Sequence, residues 1–465
     1  MKKLFITALA AGLSLSAFAQ NISEEEKEQI KKEIKEERKE ENRKAFSGLR
    51  ENNQNGINVF EAPKSDLSEF DGIKVRVGGN FNMMFQGMTQ ENYYNGVQTE
   101  TGAPAQYSLT PLGQDFNLPQ ANFNIDVAFA PGVTMKLETY LSTRHHVEAN
   151  VKGGYLQLDA LPFLNSPMLD NIMKNVTIKA GLMEINYGDS HFRRSDGGNA
   201  IYNPFVGNYL MDAFTTELGM EILYRHETGA LAMIGVSNGK LNQTTMELEG
   251  AAPSLYGKAG FDKQINEDLR VRLTGSVYHS FGDARAYLYS GDRAGGRYYS
   301  VMSYYNEDGG VQGGGDWSGR MNHSFYELTA VTINPFVKYK GLEFFGTYDR
   351  QWSRETEGKL LGGRQVENGG ALSQFGADLL YRFGQNEKFY VGARYNTVTG
   401  NLNEDSADIN IQRVNVGGGW FMTKNILVKA EYVNQQYKDE TYKALGEQFN
   451  AAKFNGVNVE AVIAF

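Results

Sequence analysis

Polar and apolar positions alternate with period two along most of the chain from residue 73 onward. In residues 73–86, Ile73, Val75, Val77, Phe81, Met83 and Phe85 fall on one face, and Lys74, Arg76, Asn80, Asn82 and Gln86 on the other. Phe123, Ile125, Val127 and Phe129 likewise oppose Asn122, Asn124 and Asp126; Leu218, Met220, Ile222 and Tyr224 oppose Glu217, Glu221 and Arg225. The pattern recurs at 269–278 and 389–396 and ends on Val457, Val459, Ala461, Ile463 and Phe465, set against Asn458, Glu460 and Ala464. Successive strand residues point to opposite faces, so these segments suit strands with lipid on one side and water on the other.

Sixteen strands are predicted, near 73–87, 117–130, 132–143, 146–159, 175–187, 214–226, 230–238, 252–263, 268–280, 323–340, 341–354, 371–384, 387–400, 406–421, 424–438 and 452–465. The even number suits a single-chain transmembrane antiparallel β-barrel. Links are short at 131–132, 226–229, 340–341, 385–387 and 422–425, and long near 88–116, 188–213, 281–322, 355–370 and 439–451. Such barrels alternate short turns on one rim with long loops on the other. Two links depart from the alternation. The one near 144 is short for a loop, and 160–174 is long for a turn and suits a short helix; together they leave the strand count open by two. A slip in alternation at Gly181 predicts a β-bulge in the fifth strand.

The start of the chain is different. Residues 1–19 combine Lys2 and Lys3, an apolar core and the exit Ala17-Phe18-Ala19, the pattern of a secretory signal peptide cleaved before Gln20. The chain has no Cys, which excludes a lipidated cysteine, disulfides and thiolate metal sites. Residues 20–46 read as a charged helix, with Ser23 and Glu26 as a capping box and many i to i+4 opposite-charge pairs. Its thin stripe of Ile22, Ile30 and Ile34 allows a solvated helix or tether, or a periplasmic coiled coil at the axis of a trimer. Residues 47–71 read as a linker, and 72–465 as the barrel.

Composition changes this picture little. No run of eighteen apolar residues follows the signal, and the mean hydropathy is −0.46, so membrane-spanning helices are excluded while strands are not. Gly 52, Tyr 26 and Phe 27 against Pro 10 suit strands, tight turns and aromatic belts. The net charge of −9, or −11 without Lys2 and Lys3, gives no support for nucleic-acid binding.

The terminal strand ending on Phe465 resembles the signal by which bacterial outer-membrane barrels are taken up by the barrel-assembly machinery. The stretch Gly188-Asp189-Ser190-His191-Phe192-Arg193-Arg194, with Asn203-Pro204-Phe205 downstream, is similar to the corresponding region of Bacteroidota porins related to the trimeric phosphate- and dicarboxylate-type superfamily. The resemblance implies a homotrimer in outer-membrane lipid that passes small hydrophilic solutes or anions. The loop after strand five would fold inward as the constriction, bearing His191, Arg193, Arg194, Asp189 and Asp196. No cofactor is implied.

Alternation places Lys74, Arg76, Lys136, Glu138, Lys179, Glu217, Glu221, Arg270, Arg272 and Arg394 on the lumen wall, with Asp378 and Glu431. Arginine rings favour anions, whereas cations and carboxylates facing each other set up a transverse field without strong ion preference. Six histidines are present, none in a G-x-S-x-G or H-E-x-x-H motif, so an enzyme is disfavoured. Asp292, Glu307, Asp308 and Asp316 in a Gly-rich loop offer oxygens for calcium without a recognised spacing. The competing reading is a structural or adhesive barrel, plugged by its loops and contacting peptidoglycan or a surface partner.

Overall fold

The computed structural model describes residues 24–46, 48–64, 70, 72–97, 102–141, 149–241, 245, 252–282, 285–290, 298–313, 316–323, 325–353, 360–361, 364–365 and 369–465. The signal segment, Ser23, the short link near 144, His145, His146 and Asp292 lie outside these.

The fold is a closed antiparallel barrel of sixteen strands. They are β1 (Lys74–Glu91), β2 (Asp115–Ala130), β3 (Val133–Leu141), β4 (Ala149–Leu158), β5 (Val176–Glu184), β6 (Thr216–Arg225), β7 (Ala230–Ser237) and β8 (Ser254–Gln264). The remainder are β9 (Leu269–Ser280), β10 (Thr329–Tyr339), β11 (Leu342–Trp352), β12 (Gly369–Phe383), β13 (Phe389–Asn403), β14 (Ile409–Thr423), β15 (Ile426–Tyr437) and β16 (Lys453–Ala464). Each pairs with its sequence neighbours, and β16 returns to β1 with Asn80 opposite Ala464 and Glu91 opposite Lys453. Closure leaves no unpaired edge, which a spanning sheet in hydrocarbon requires.

The alternation acts as expected. Val75, Val77, Met83, Leu218, Met220, Leu273, Val277, Leu379, Val416 and Val457 are exposed on the outside, while Asn80, Asn82, Asp126, Glu217, Arg272, Asp378 and Arg394 are buried within. Near one rim, Tyr381, Phe383, Phe389 and Trp420 stack in a row with ring centroids 5.9, 5.6 and 6.2 Å apart, as an aromatic girdle does at an interface.

The long 159–175 link holds the anticipated short helix, α2 (Pro167–Met173), and the strand count stays at sixteen. Ser166 caps it by accepting a hydrogen bond from the Leu169 amide, and Pro167 sits where a missing N–H costs nothing. The bulge expected at Gly181 is corrected: pairing runs unbroken from Tyr155 through Gly181 to Gly219. Gly181 instead takes φ +141°, and a Cβ there would lie 2.4 Å from the Gly154 carbonyl oxygen. A helix, α1 (Glu24–Ala45), precedes the barrel.

Candidate functional site: the filled lumen

Three segments occupy the barrel interior. The first is the third loop, 185–215, which joins β5 to β6. Asp189, Ser195, Asp196, Ala200, Asn203, Val206 and Leu210 within it are 0% exposed, so the loop runs inside the barrel rather than over its rim. Its fold is fixed locally: the Ser195 amide donates to Asn208 Oδ1 at 2.8 Å, and Asn203 Nδ2 donates to Ser195 Oγ at 2.8 Å and to the Gly207 carbonyl at 3.1 Å.

The second segment is 46–64, read from the sequence as a linker. It crosses the mouth at the rim that bears the short turns. Asn52 donates to the Gly79 carbonyl at 2.8 Å, the Gln54 amide to that of Lys424 at 2.8 Å, and Lys64 Nζ to that of Asp159 at 2.9 Å. Phe60 is buried against Phe192 of the third loop and Phe336 of β10, ring centroids 5.7 and 5.4 Å away. Arg50 lies 3.5 Å above the Tyr202 ring and donates to the Phe192 carbonyl at 2.8 Å, and burial pulls its pKa down to about 10.

The third segment is the 281–328 loop at the opposite rim. Its Tyr298, Tyr299, Val301, Met302, Phe325 and Leu328 join Met84, Met88, Leu109, Val433 and Phe454 in one buried apolar cluster. Gln86 of β1 holds this loop by exchanging bonds of 2.9 Å with both backbone groups of Ser300.

The cations expected at the constriction each meet carboxylates. Arg193 Nη1 lies 2.8 Å from Glu343 Oε1, and Arg193 Nη2 is 3.6 Å from Asp378. Arg194 binds both oxygens of Asp212, at 3.0 and 2.6 Å, and Asp196 at 3.0 Å. Burial opposes the Arg194 charge, yet Asp212 and Asp196 together hold its pKa well above the ordinary arginine value. His191 Nδ1 lies 3.2 Å from Glu184, and its Nε2 lies 3.0 Å from Asn186 Oδ1. Asp189 accepts from Arg272 at 2.8 and 2.7 Å, from Lys258 at 3.1 Å and from Thr274 at 2.6 Å. Asp196 is also 3.5 Å from Lys152.

Most of the wall charges are paired as well. Arg76 joins Asp126 at 2.7 Å, Lys136 joins Glu138 at 2.6 Å, Lys179 joins Glu221 at 3.0 Å and Arg270 joins Asp262 at 2.7 Å. Arg394 holds Asp378 at 2.7 Å, with Tyr209 donating to the same carboxylate at 2.8 Å. Glu217 accepts from Ser237 at 2.5 Å, and Glu431 from the Val206 amide at 2.8 Å. Lys74 is half-buried at the start of β1. Phe465, its side chain exposed, exchanges backbone bonds of 2.9 and 3.0 Å with Gly79 and extends the closing seam by one residue.

Several partners escaped the sequence reading. Lys258, Glu343, Arg382 and Arg413 occupy inward positions on strands, so alternation could have found them. Asp212, Asn58 and Glu61 lie in segments without periodicity. Glu61 docks 2.8 Å from Arg272 and 3.2 Å from Lys258; burial alone would raise its carboxyl, but those two cations hold it well below the usual range.

A chamber of about 1050 Å³ remains between 46–64, the third loop and the wall of β1 to β5. Arg76, Lys136, Glu138, Tyr155, Lys179 and His191 are among its lining residues. No cluster of His, Asp or Glu among the described residues is suited to hold a metal ion.

No family model matches the chain, and no curated protein does. Among solved structures, the outer membrane channel DcaP of Acinetobacter baumannii is similar over 85% of this chain and 99% of its own, with TM-score 0.50 and 11% identity. Outer-membrane expressed OmpT of Vibrio cholerae (TM-score 0.48, 11% identity, 86% and 100% covered) and the anion-selective porin from Comamonas acidovorans (0.47, 12%, 84% and 100%) follow. At such identities the likeness concerns the fold: a porin-type barrel.

Proposed function

We propose that the protein is an outer-membrane porin, a passive diffusion channel for small hydrophilic solutes, with the third loop as its constriction. The observation that carries this reading is a lipid-facing apolar exterior around an interior of ionic and amide groups with a chamber of about 1050 Å³. A barrel built only for structure would cover that interior with apolar contacts, since each buried charge carries a desolvation cost. Ion preference is weak in this reading. Arg193, Arg194 and Arg394 each face a carboxylate within 3.0 Å, which cancels most of the field that an arginine ring would direct at passing anions. Assembly as a homotrimer in the outer membrane, with α1 in the periplasm, belongs to the same proposal.

One observation favours the plugged, structural reading: the apolar cluster of Tyr298, Tyr299, Val301 and Met302 beneath the loop rim. Planar-bilayer conductance of the folded protein separates the two. The channel reading expects discrete steps with a reversal potential near zero across a salt gradient. A folded, inserted barrel that passes no current would give precedence to the plugged reading.

A further inference from the structure

The third loop is bonded to the wall along most of its contact, including the Asp196–Lys152 pair at β4 and the bonds from Lys429 of β15, and rests without hydrogen bonds on one flank. Its resting flank faces β1 and β2, where five amide side chains form a ladder: Asn80 stands opposite Asn122, Asn82 opposite Gln120, and Asn124 one step nearer the turn rim, opposite Gly78. All five are buried, at 2, 6, 0, 0 and 9% exposure respectively. Both amide atoms of Asn80 and of Asn122, Oδ1 of Asn82 and of Asn124, and Nε2 of Gln120 have no hydrogen-bond partner among the described residues. Buried polar atoms are nearly always satisfied by protein or ordered water, so a row of this kind marks a wall built to bond something other than the protein.

A glycine pair of the loop covers the Asn80–Asn122 rung of the ladder. Gly197 and Gly198 take φ +72° and +78°, conformations that disfavour other residues. A Cβ at Gly198 would sit 3.4 and 3.5 Å from the Cβ atoms of Asn80 and Asn122. Backbone therefore lies directly on the amides without bonding them. The chamber reaches this seam from the turn side, since Gly78, Asn124, Gly197 and Gly198 all line it.

We propose that the seam between Gly197–Gly198 and the amide ladder of β1 and β2 is a binding track for uncharged polyhydroxylated solutes, the sugars and polyols. The proposal rests on the channel reading and names its solute class. An amide donates and accepts at once, as a hydroxyl does, so a polyol exchanges bonds to water for bonds to the ladder and leaves no group unpaired. An ion entering the seam loses hydration and meets charges already engaged in pairs: Arg76 with Asp126, Lys152 with Asp196 at 3.5 Å, and Glu460 beside the ladder with Lys429 at 2.9 Å. Directly opposed positions are about 5 Å apart across strands and alternate ones about 7 Å along them, the scale on which hydroxyls are spaced on a hexose and its neighbour. The glycine tip moves aside without breaking a bond to the ladder.

The test uses the full-length folded protein with raffinose, an uncharged trisaccharide, and sodium succinate as the charged control. Two readouts are taken: block of single-channel current, and saturation-transfer NMR on the solubilised barrel, which needs no conduction. Raffinose is expected to reduce the current and give a transfer signal, both at least about fivefold weaker in the Asn80→Leu, Asn122→Leu double variant, while succinate does neither. If that variant fails to fold, Asn80→Ser with Asn122→Ser replaces it and is expected to weaken both readouts in the same direction. A conducting barrel with no raffinose signal, or one in which succinate blocks and raffinose does not, overturns the track and leaves the channel reading intact. A silent barrel whose signal still depends on Asn80 and Asn122 keeps the track and removes the channel. A silent barrel without signal removes both.

Discussion

The two flanks of the third loop are made of opposite chemistry. Toward β8 to β13 the loop is clamped by ions: Asp189 to Arg272 and Lys258, Arg193 to Glu343, and the Gly207 carbonyl to Arg394, itself locked to Asp378. Toward β1 and β2 it meets neutral amides that it does not bond. Charge in this lumen therefore anchors, and the uncharged flank is where the filling can yield. Breaking a buried ion pair strands a charge, whereas parting backbone from an unbonded amide strands nothing. The arginines that stand out in the sequence are thus positioned to hold the loop.

The largest effect is expected where the clamp is densest. Arg272→Met leaves Asp189 and Glu61 to share Lys258 and should destabilise the barrel by about 3–5 kcal/mol, lowering the temperature at which the folded form is lost on unheated gels. Asn122→Leu removes two unpartnered polar atoms and is expected to change stability by less than about 1 kcal/mol. Equal losses from the two substitutions would break the comparison.

A smaller effect concerns the 46–64 segment, held to the same clamp through Glu61. The cations that receive it keep the docked Glu61 carboxyl well below its ordinary 4.5. A group depressed on docking contributes fully above the undocked value and loses that contribution as pH falls through the docked one. Docking should therefore be constant from neutral pH down to about 4.5 and weaken only below it. Glu61→Gln should abolish this acid dependence and open the turn-rim mouth at neutral pH, read as higher conductance and faster proteolysis of 46–64. A conductance that changes between pH 8 and 6 in the parent protein alone would assign the gating to other groups.

How much of this was legible depends on periodicity. All sixteen strands could be read because a spanning strand must satisfy lipid and lumen at once, and the period of two records both demands. The largest departure at a strand start is in the tenth, at Thr329 rather than near 323, because Phe325 and Leu328 join the buried cluster of the loop that turns inward. Wall residues such as Arg272 and Arg394 were visible for the same reason. Their partners were not: Arg193 finds Glu343 150 positions away, and nothing in a loop's local pattern encodes which wall it will touch. The 46–64 segment has no period, so Phe60 and Glu61 gave no sign of burial. The ladder was seen only as polar positions, since unpartnered amides can be recognised only when every neighbour is in place.

The smallest expected effect sharpens the comparison from the chamber side. Lys136 and Glu138 are paired at 2.6 Å and half-buried, with 25 and 17% of their side-chain exposure kept, so they line the chamber rather than the sealed clamp. A pair that keeps access to solvent contributes less to stability than a sealed one, and at physiological salt its field reaches only roughly 8 Å. Lys136→Gln should leave thermal stability unchanged and shift the cation-to-anion permeability ratio by less than about twofold toward cations. Arg193→Gln, in the third loop, should instead lower stability, because Glu343 would then rely on Arg382 and Asn58 alone. A selectivity change from Lys136→Gln larger than that would place the rate-limiting contact in the chamber, where charges are hydrated, and would move the selecting step away from the amide flank.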